Sequence, residues 1–471
     1  MERVDYATRV PRHRIIRWEG YLMAGPETVG TVAPAALKGN DLDAFWMPFT
    51  DNRAFKKTPR MFESAKGMHY RTTDGREVLD ATAGLWCVNA GHGRDTIVEA
   101  IRAQAAKLDF APTFQLGHPM PFALATKVAA IMPSGLDRIF FTNSGSESAD
   151  TALKIALAWQ RAKGEGTRTR LIGRERGYHG TNFGGMSIGG IGGNRRGFST
   201  QLWGVDHLPH TYRSQPTFIR GLPESNSDLA NELEHLIALH GAETIAAVMV
   251  EPVAGSTGVL IPPRGYLERL REITSRHGIA LIFDEVITAF GRLGAATASE
   301  AFGVTPDILT MAKGLTNGAV PMGAVAVRRE VHDAIVNKAP SGIEFFHGYT
   351  YSGHPLAAAA GLATLDLYAS EGLFERAEVL APLWEEAMHS LRDAHGVVDI
   401  RTIGLMAGIE LEARPGAPGE RAMDTFHRCF DEGLLIRVTG DIIALSPPLI
   451  VSETQVDQMT EQLRKIIDEI K

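Results

Sequence analysis

Asp284 and Lys313 are the two residues whose types and positions point most directly to chemistry. Each stands just past a short apolar run, residues 279–283 for the first and 308–311 for the second. Runs that short, rich in β-branched and aromatic residues, read as buried strands. A carboxylate and an amine at the carboxyl ends of two neighbouring strands sit where open α/β sheets bind ligands.

A partly desolvated lysine forms Schiff bases with aldehydes. A buried carboxylate stabilises a protonated ring nitrogen through a charge-assisted hydrogen bond. Pyridoxal phosphate presents both groups, and its protonated ring is an electron sink for a carbanion. Either residue alone reads more simply, as a surface lysine after a strand and an aspartate capping a turn. The pair becomes specific only if the chain also supplies a phosphate cradle and an aromatic to cover the ring.

Both are present. Residues 138–142 read as a strand and 146–163 as a helix, joined by Asn143-Ser144-Gly145-Ser146. Small hydroxyl residues and a glycine at a helix start leave N–H groups open to an anion, helped by the helix dipole. The plainer alternative is a serine N-cap with Glu147 in the first turn. No Gly-Lys pair makes a Walker loop, and Ser146 lacks the glycine two residues earlier of a nucleophile elbow. Tyr178, in Gly177-Tyr178-His179-Gly180 after the strand at 170–173, is placed to stack on a flat ring. The Gly-rich stretch that follows does not complete GxGxxG, which disfavours a dinucleotide site. His207 and His210 read as loop histidines, and no metal site is expected.

Composition bounds the rest. The 471 residues carry a net charge of −7, which offers no general attraction to nucleic acid or an anionic membrane. Two cysteines, Cys87 and Cys429, make no disulfide framework and favour a reducing cytoplasm. No apolar run approaches the ~20 residues of a transmembrane helix. The first twenty residues hold five Arg but also Glu2, Asp5 and Glu19, so a targeting segment is the weaker reading. Residues 1–40 read as a loose arm, with Met23 an alternative start and residues 1–22 dispensable.

From Leu42 the pattern turns globular, with Trp46, Met47, Pro48 and Phe49 expected in a core or at a pocket lip, the core being the default. Residues 68–93 read as strands about the Asp74-Gly75 turn, ending in a Gly-rich loop that carries Trp86. Helices are expected at 95–107, 229–239 and 263–277. Strands and helices alternate from about 138 to 327, which predicts an α/β fold with a mostly parallel sheet. Strands at 397–412 and 434–446 and a closing helix at 453–470 predict a smaller α+β lobe.

The chain resembles the class III (omega) aminotransferases of the fold type I pyridoxal-phosphate enzymes. The likeness rests on TNSGSESADTALKIA, GYHG, VEPVAGSTGV, LIFDEVITAFGRLG, DILTMAKGLTNGAVPMGAV and HGYTYSGHP, and runs from about Leu42 to the C-terminus. Within the class, WMPFT, TFQLGHP, VDHLPHT and VVDIR are most similar to the β-alanine–pyruvate and ω-amino acid–pyruvate branch. The resemblance implies a large cofactor-binding domain over 81–345 and a small domain from 41–80 plus 346–471. It implies Lys313 as the Schiff-base lysine and proton shuttle, and Asp284 as partner of the ring nitrogen. Gly145 and Ser146 then hold the phosphate, and Tyr178 and Val286 cover the two ring faces. Thr350 reaches the phosphate of a neighbouring subunit, making the active unit a homodimer, alone or within a homotetramer. Trp86 is expected to line the substrate pocket.

The implied reaction moves an amino group from an ω-amino acid or primary amine to pyruvate by a ping-pong cycle. Other donors (taurine, γ-aminobutyrate, putrescine) and a mutase or decarboxylase on the same fold stay open, and a non-catalytic regulator is least favoured. In the ornithine and γ-aminobutyrate branches an arginine for the α-carboxylate sits in the strand after Gly-Asp, locked by a glutamate in a glycine-rich loop. This chain has Ala444 and Ser256 at those places. Arg437, which matches the mobile arginine of the amine–pyruvate branch, is the remaining candidate and is expected on a flexible loop.

Overall fold

The strand ending in the candidate aspartate, Ala280–Asp284, is buried at every residue, as a strand covered on both faces must be. The computed structural model describes residues 42–212, 218–224, 227–340 and 342–470. The arm over 1–40, with its alternative start at Met23, lies outside the described residues.

Ala280–Asp284 is the central strand of a seven-stranded sheet. The spatial order is Arg138–Thr142, Gly323–Val327, Ile308–Met311, Ala280–Asp284, Ile245–Val250, Arg170–Arg174 and Val205–Leu208. Only Gly323–Val327 runs against its neighbours, so the mostly parallel sheet is as expected. The link from Met311 to Gly323 is too short for the crossover that a parallel return needs. Alternate residues of the central strand face opposite cores. Ala280 and Ile282 pack with Ala149, Leu153 and Ala156 of the helix Gly145–Ala162. Leu281 and Phe283 pack with Leu267, Leu270 and Ile273 of the helix Tyr266–His277. Each such large side chain contributes roughly 1.5–3 kcal/mol on burial.

Two helices depart from the sequence expectation by more than one residue. The helix expected from 263 starts at Tyr266, because Gly265 before it takes a left-handed conformation. The helix expected over 229–239 is a 3-10 turn, Ser227–Asn231, followed by Glu232–His240. His207 lies on the strand Val205–Leu208 and not in a loop. Its Nε2 meets the Gly189 carbonyl at 3.0 Å.

Two smaller sheets complete the chain. Phe62–Lys66, His69–Thr72, Glu77–Asp80 and Leu434–Leu435 form one, in that order. Arg437–Thr439, Ile442–Leu445, Met406–Leu411 and Val397–Ile403 form the other, with Ile219–Arg220 at its edge. That last strand was not expected, since two residues carry no periodic signal. Among the described residues the chain divides into two compact units between Met61 and Phe62. Within the first, Asp51 caps the short helix Asn52–Lys57 by accepting from the Ala54 N–H. Trp46, Pro48 and Phe49 are exposed there, so the core reading fails for all three; a six-residue helix has too little apolar face to cover them.

Candidate active site

Five strands of the large sheet end on one rim, and the candidate residues follow those ends. Ser146 comes after Thr142, Tyr178 after Arg174, Glu251 after Val250 and Lys313 after Met311, while Asp284 closes its own strand. They surround a cavity of about 170 Å³ lined by Gly145, Ser146, Tyr178, Asp284, Val286 and Lys313, together with His179, Glu251 and Ile287. Six of the nine residues singled out from the sequence thus meet in one cavity.

The cradle is built by the start of the helix Gly145–Ala162. Ser144 is its N-cap, accepting from the Glu147 N–H at 3.2 Å. The plainer N-cap reading and the cradle are therefore both present, one residue apart. Helical geometry leaves the Gly145 and Ser146 N–H groups without intrahelical partners. The Ser146 hydroxyl accepts from the Thr181 N–H at 3.1 Å, which frees its own proton for an anion. Gly180 makes this contact possible: at φ +90° a Cβ there would lie 2.3 Å from the Ser146 oxygen.

Asp284 is buried and held from two sides. Its Oδ2 lies 2.7 Å from His179 Nδ1, and its Oδ1 accepts from the Thr310 hydroxyl at 3.0 Å and the Val286 N–H at 3.2 Å. Three such partners fix the orientation of the carboxylate. Lys313 stands two residues past the end of the next strand of the sheet, at the start of a 3-10 turn, with φ +44°, a conformation that costs a side-chain-bearing residue on the order of 1–3 kcal/mol and clusters at functional sites. Burial pushes its ammonium below the ordinary lysine pKa; the charge of Arg437 adds to this, while Cys87 and Asp284 oppose it. A lowered lysine pKa raises the share of neutral amine, the form that attacks a carbonyl or takes a proton.

The remaining three candidates lie apart from the cavity wall. Trp86 is almost fully buried, with its indole N–H unpaired. It packs in one cluster with Val253, Val259 and Ile261 and with Ile287, which lines the cavity. Thr350 is exposed in the loop before the helix Pro355–Ser370 and is not part of its own chain's cavity. Arg437 is on a strand, Arg437–Thr439, and not on a loop as expected. It pairs directly with Ala444 across the antiparallel ladder, so residues 437 and 444 share one face. The guanidinium comes from the neighbouring strand onto the face where an arginine at 444 would stand. Its charge is felt at both Tyr178 and Lys313.

Sequence reasoning missed His179, Thr310 and Glu251. Glu251 had a signal, since it follows a buried strand as Asp284 ends one. His179 and Thr310 had none beyond adjacency to a singled-out residue, because their contact with Asp284 spans distant parts of the chain. Glu251 accepts from the Tyr178 N–H at 2.9 Å. Burial pushes its carboxyl up to about 7, with Asp284 adding to the rise and His179 opposing it. The folded pKa thus exceeds the unfolded value of 4.5, so folding favours the protonated acid. The associated stability is complete below pH 4.5 and is lost as pH rises through about 7, by up to roughly 3 kcal/mol. Glu251→Gln is expected to flatten the melting temperature of the cofactor-free protein between pH 5 and 8. Calorimetric scans that fall in parallel for the variant and the parent refute this.

The sheet, the rim and the lysine–aspartate pair define a fold type I pyridoxal-phosphate-dependent transferase. The family model of class-III aminotransferases matches residues 51–467, and the chain belongs to that family. It is similar to the omega-aminotransferase of Caulobacter vibrioides, 65% identical over 92% of this chain and 98% of the relative. A beta-alanine–pyruvate aminotransferase of Pseudomonas aeruginosa is 48% identical over 93% and 98%. Among solved structures, the omega transaminase from Pseudomonas jessenii in complex with PMP superposes with a TM-score of 0.87. It is 33% identical and covers 92% of this chain and 98% of that one. The protein is therefore an aminotransferase, and among its described residues no helix is long and apolar enough to cross a membrane.

Proposed function

We propose that this aminotransferase takes an amino group from an ω-amino acid such as β-alanine, or from a primary amine, and passes it to pyruvate with pyridoxal phosphate as carrier. The observation that carries the reading is the placement of Arg437 on the face of residue 444, with its charge acting on Tyr178 and Lys313. A guanidinium there suits pyruvate's carboxylate, which it binds through two parallel hydrogen bonds. The likeness to a beta-alanine–pyruvate aminotransferase supports the same substrates.

The cavity fits the cofactor. A Cβ on Gly145 would lie 2.9 Å from Val286 Cγ1, so glycine keeps the space between the cradle and the Val286 face open. The donor set matches too: open N–H groups and a hydroxyl for a phosphate, an oriented carboxylate for a cationic ring N–H, and an amine for an aldehyde. When bound, pyridoxal phosphate supplies that aldehyde and a ring that takes up an electron pair. Gly145 and Ser146 would hold the phosphate, Tyr178 and Val286 would cover the ring faces, and Asp284 would accept from the ring nitrogen. Lys313 Nζ would take the proton from the donor carbon and later deliver one to the acceptor. Arg437 orients whichever substrate carries a carboxylate, and the Trp86 cluster supports the wall at Ile287.

The purified protein is expected to absorb as a bound aldehyde cofactor, to bleach with β-alanine or a benzylic amine, and to recover with pyruvate. Failure to bleach removes the donor assignment. Recovery with another keto acid but not with pyruvate removes the acceptor.

We further propose a homodimer in which Thr350 serves the partner's phosphate. Thr350 is exposed, and near it Phe110, Phe114, Leu116, Phe122, Phe346 and Tyr351 are exposed as well. An apolar surface of that kind marks an interaction site. Thr350→Ala is expected to weaken cofactor retention roughly tenfold, about the effect of one hydrogen bond. Mixing Thr350→Ala with Lys313→Ala subunits tests the sharing, since one site of a mixed dimer then carries both lesions and the other neither. Mixed dimers without recovered activity rule it out.

A further inference from the structure

Residues 251–263 are buried without interruption, although they form an irregular hairpin between a strand and a helix. Ala254 and Leu260 bond to each other in both directions, at 3.1 and 3.0 Å. The tip between them leaves the Thr257 and Gly258 carbonyls pointing away from the hairpin's own ladder. Buried carbonyls need partners, and two guanidiniums provide them. Arg401 reaches the Gly258 oxygen with Nε at 3.2 Å and Nη2 at 3.0 Å. Arg176 reaches the Thr257 oxygen at 3.1 Å.

Arg401 is itself fully buried and tightly held. Its Nη1 bonds Asp399, the Glu410 carboxylate at 2.8 Å and the Tyr212 hydroxyl at 2.9 Å. The Tyr212 ring lies beneath it, 4.5 Å from the guanidinium carbon, and the Tyr212 hydroxyl donates to Asp399 at 2.6 Å. Arg401 stands on Val397–Ile403 and Glu410 on Met406–Leu411, strands of the sheet that carries Arg437. The hairpin meanwhile packs Val253, Val259 and Ile261 against Trp86 and Ile287, and its base begins at Glu251 in the cavity wall.

We propose that Arg401 and Arg176 are positioning residues for substrate recognition: by clamping the hairpin tip to the sheet of Arg437, they set the distance between the Ile287 wall and the guanidinium that receives the carboxylate. The proposal rests on the assignment of pyruvate's carboxylate to Arg437. A buried ion cluster suits this task, because its geometry is fixed by several charge-assisted bonds at once.

Arg401→Lys keeps the charge but cannot span two carboxylates and a carbonyl. Arg176→Lys makes a milder change at a half-buried position. Each is expected to raise the KM for pyruvate at least threefold, while the half-reaction with a carboxylate-free benzylic amine changes less than twofold. Hydrogen exchange of amides 254–260 is expected to accelerate in both. A folded variant with the parental KM for pyruvate, or one in which both half-reactions slow alike, overturns the proposal. Should Arg401→Lys not fold, Arg176→Lys decides by the same criteria. Should the parent fail to recover with pyruvate, the functional reading falls, and the clamp is judged by hairpin exchange alone, where unchanged rates overturn it.

Discussion

Replacing Lys313 by alanine is expected to slow amino transfer by roughly 10²–10⁴-fold, the range that a positioned acid–base group supplies. Further loss follows wherever covalent exchange through the lysine amine also limits the rate. The phosphate cradle at Gly145 and Ser146 and the Asp284 carboxylate do not depend on this side chain, so the variant is expected to fold and to bind cofactor. Its absorbance should therefore report bound aldehyde with little turnover. In the parent protein, borohydride reduction followed by peptide mapping is expected to place the pyridoxyl group on Lys313. A label on any other lysine overturns the assignment. So does a Lys313→Ala protein that keeps more than a tenth of the parental rate.

Arg437→Ala is expected to cost about 1.5–3 kcal/mol in reactions of pyruvate and β-alanine, the scale of a hydrogen bond to a charged group. That corresponds to a fall of about 10- to 150-fold in kcat/KM. The guanidinium is half-buried, and its desolvation is met partly by the charges of Tyr178 and Glu251. The half-reaction with a benzylic amine, which has no carboxylate, should change less than threefold. Single half-reactions followed by cofactor absorbance separate the two cases. Equal losses with both donors assign Arg437 a purely structural role and place the carboxylate contact elsewhere.

The alternation of short apolar runs with amphipathic helices between about 138 and 327 was enough to specify a parallel-rich α/β sheet. Local periodicity decides which faces are buried, and burial on both faces demands near-continuous apolar strands such as Ala280–Asp284. The same local logic placed Asp284, Lys313, Ser146 and Tyr178 at strand ends, and the motifs around them carried the resemblance to the aminotransferase family. What the sequence could not supply was contact across the chain. His179 meets Asp284 from 105 residues away, and Arg401 meets the Gly258 carbonyl from 143 residues away; neither leaves a periodic or local trace. Arg437 shows the division within one residue. The resemblance to the amine–pyruvate branch marked it as a candidate, yet only strand pairing put it opposite Ala444. Register is a property of two strands packed together, so the face on which that guanidinium emerges was decided by tertiary structure.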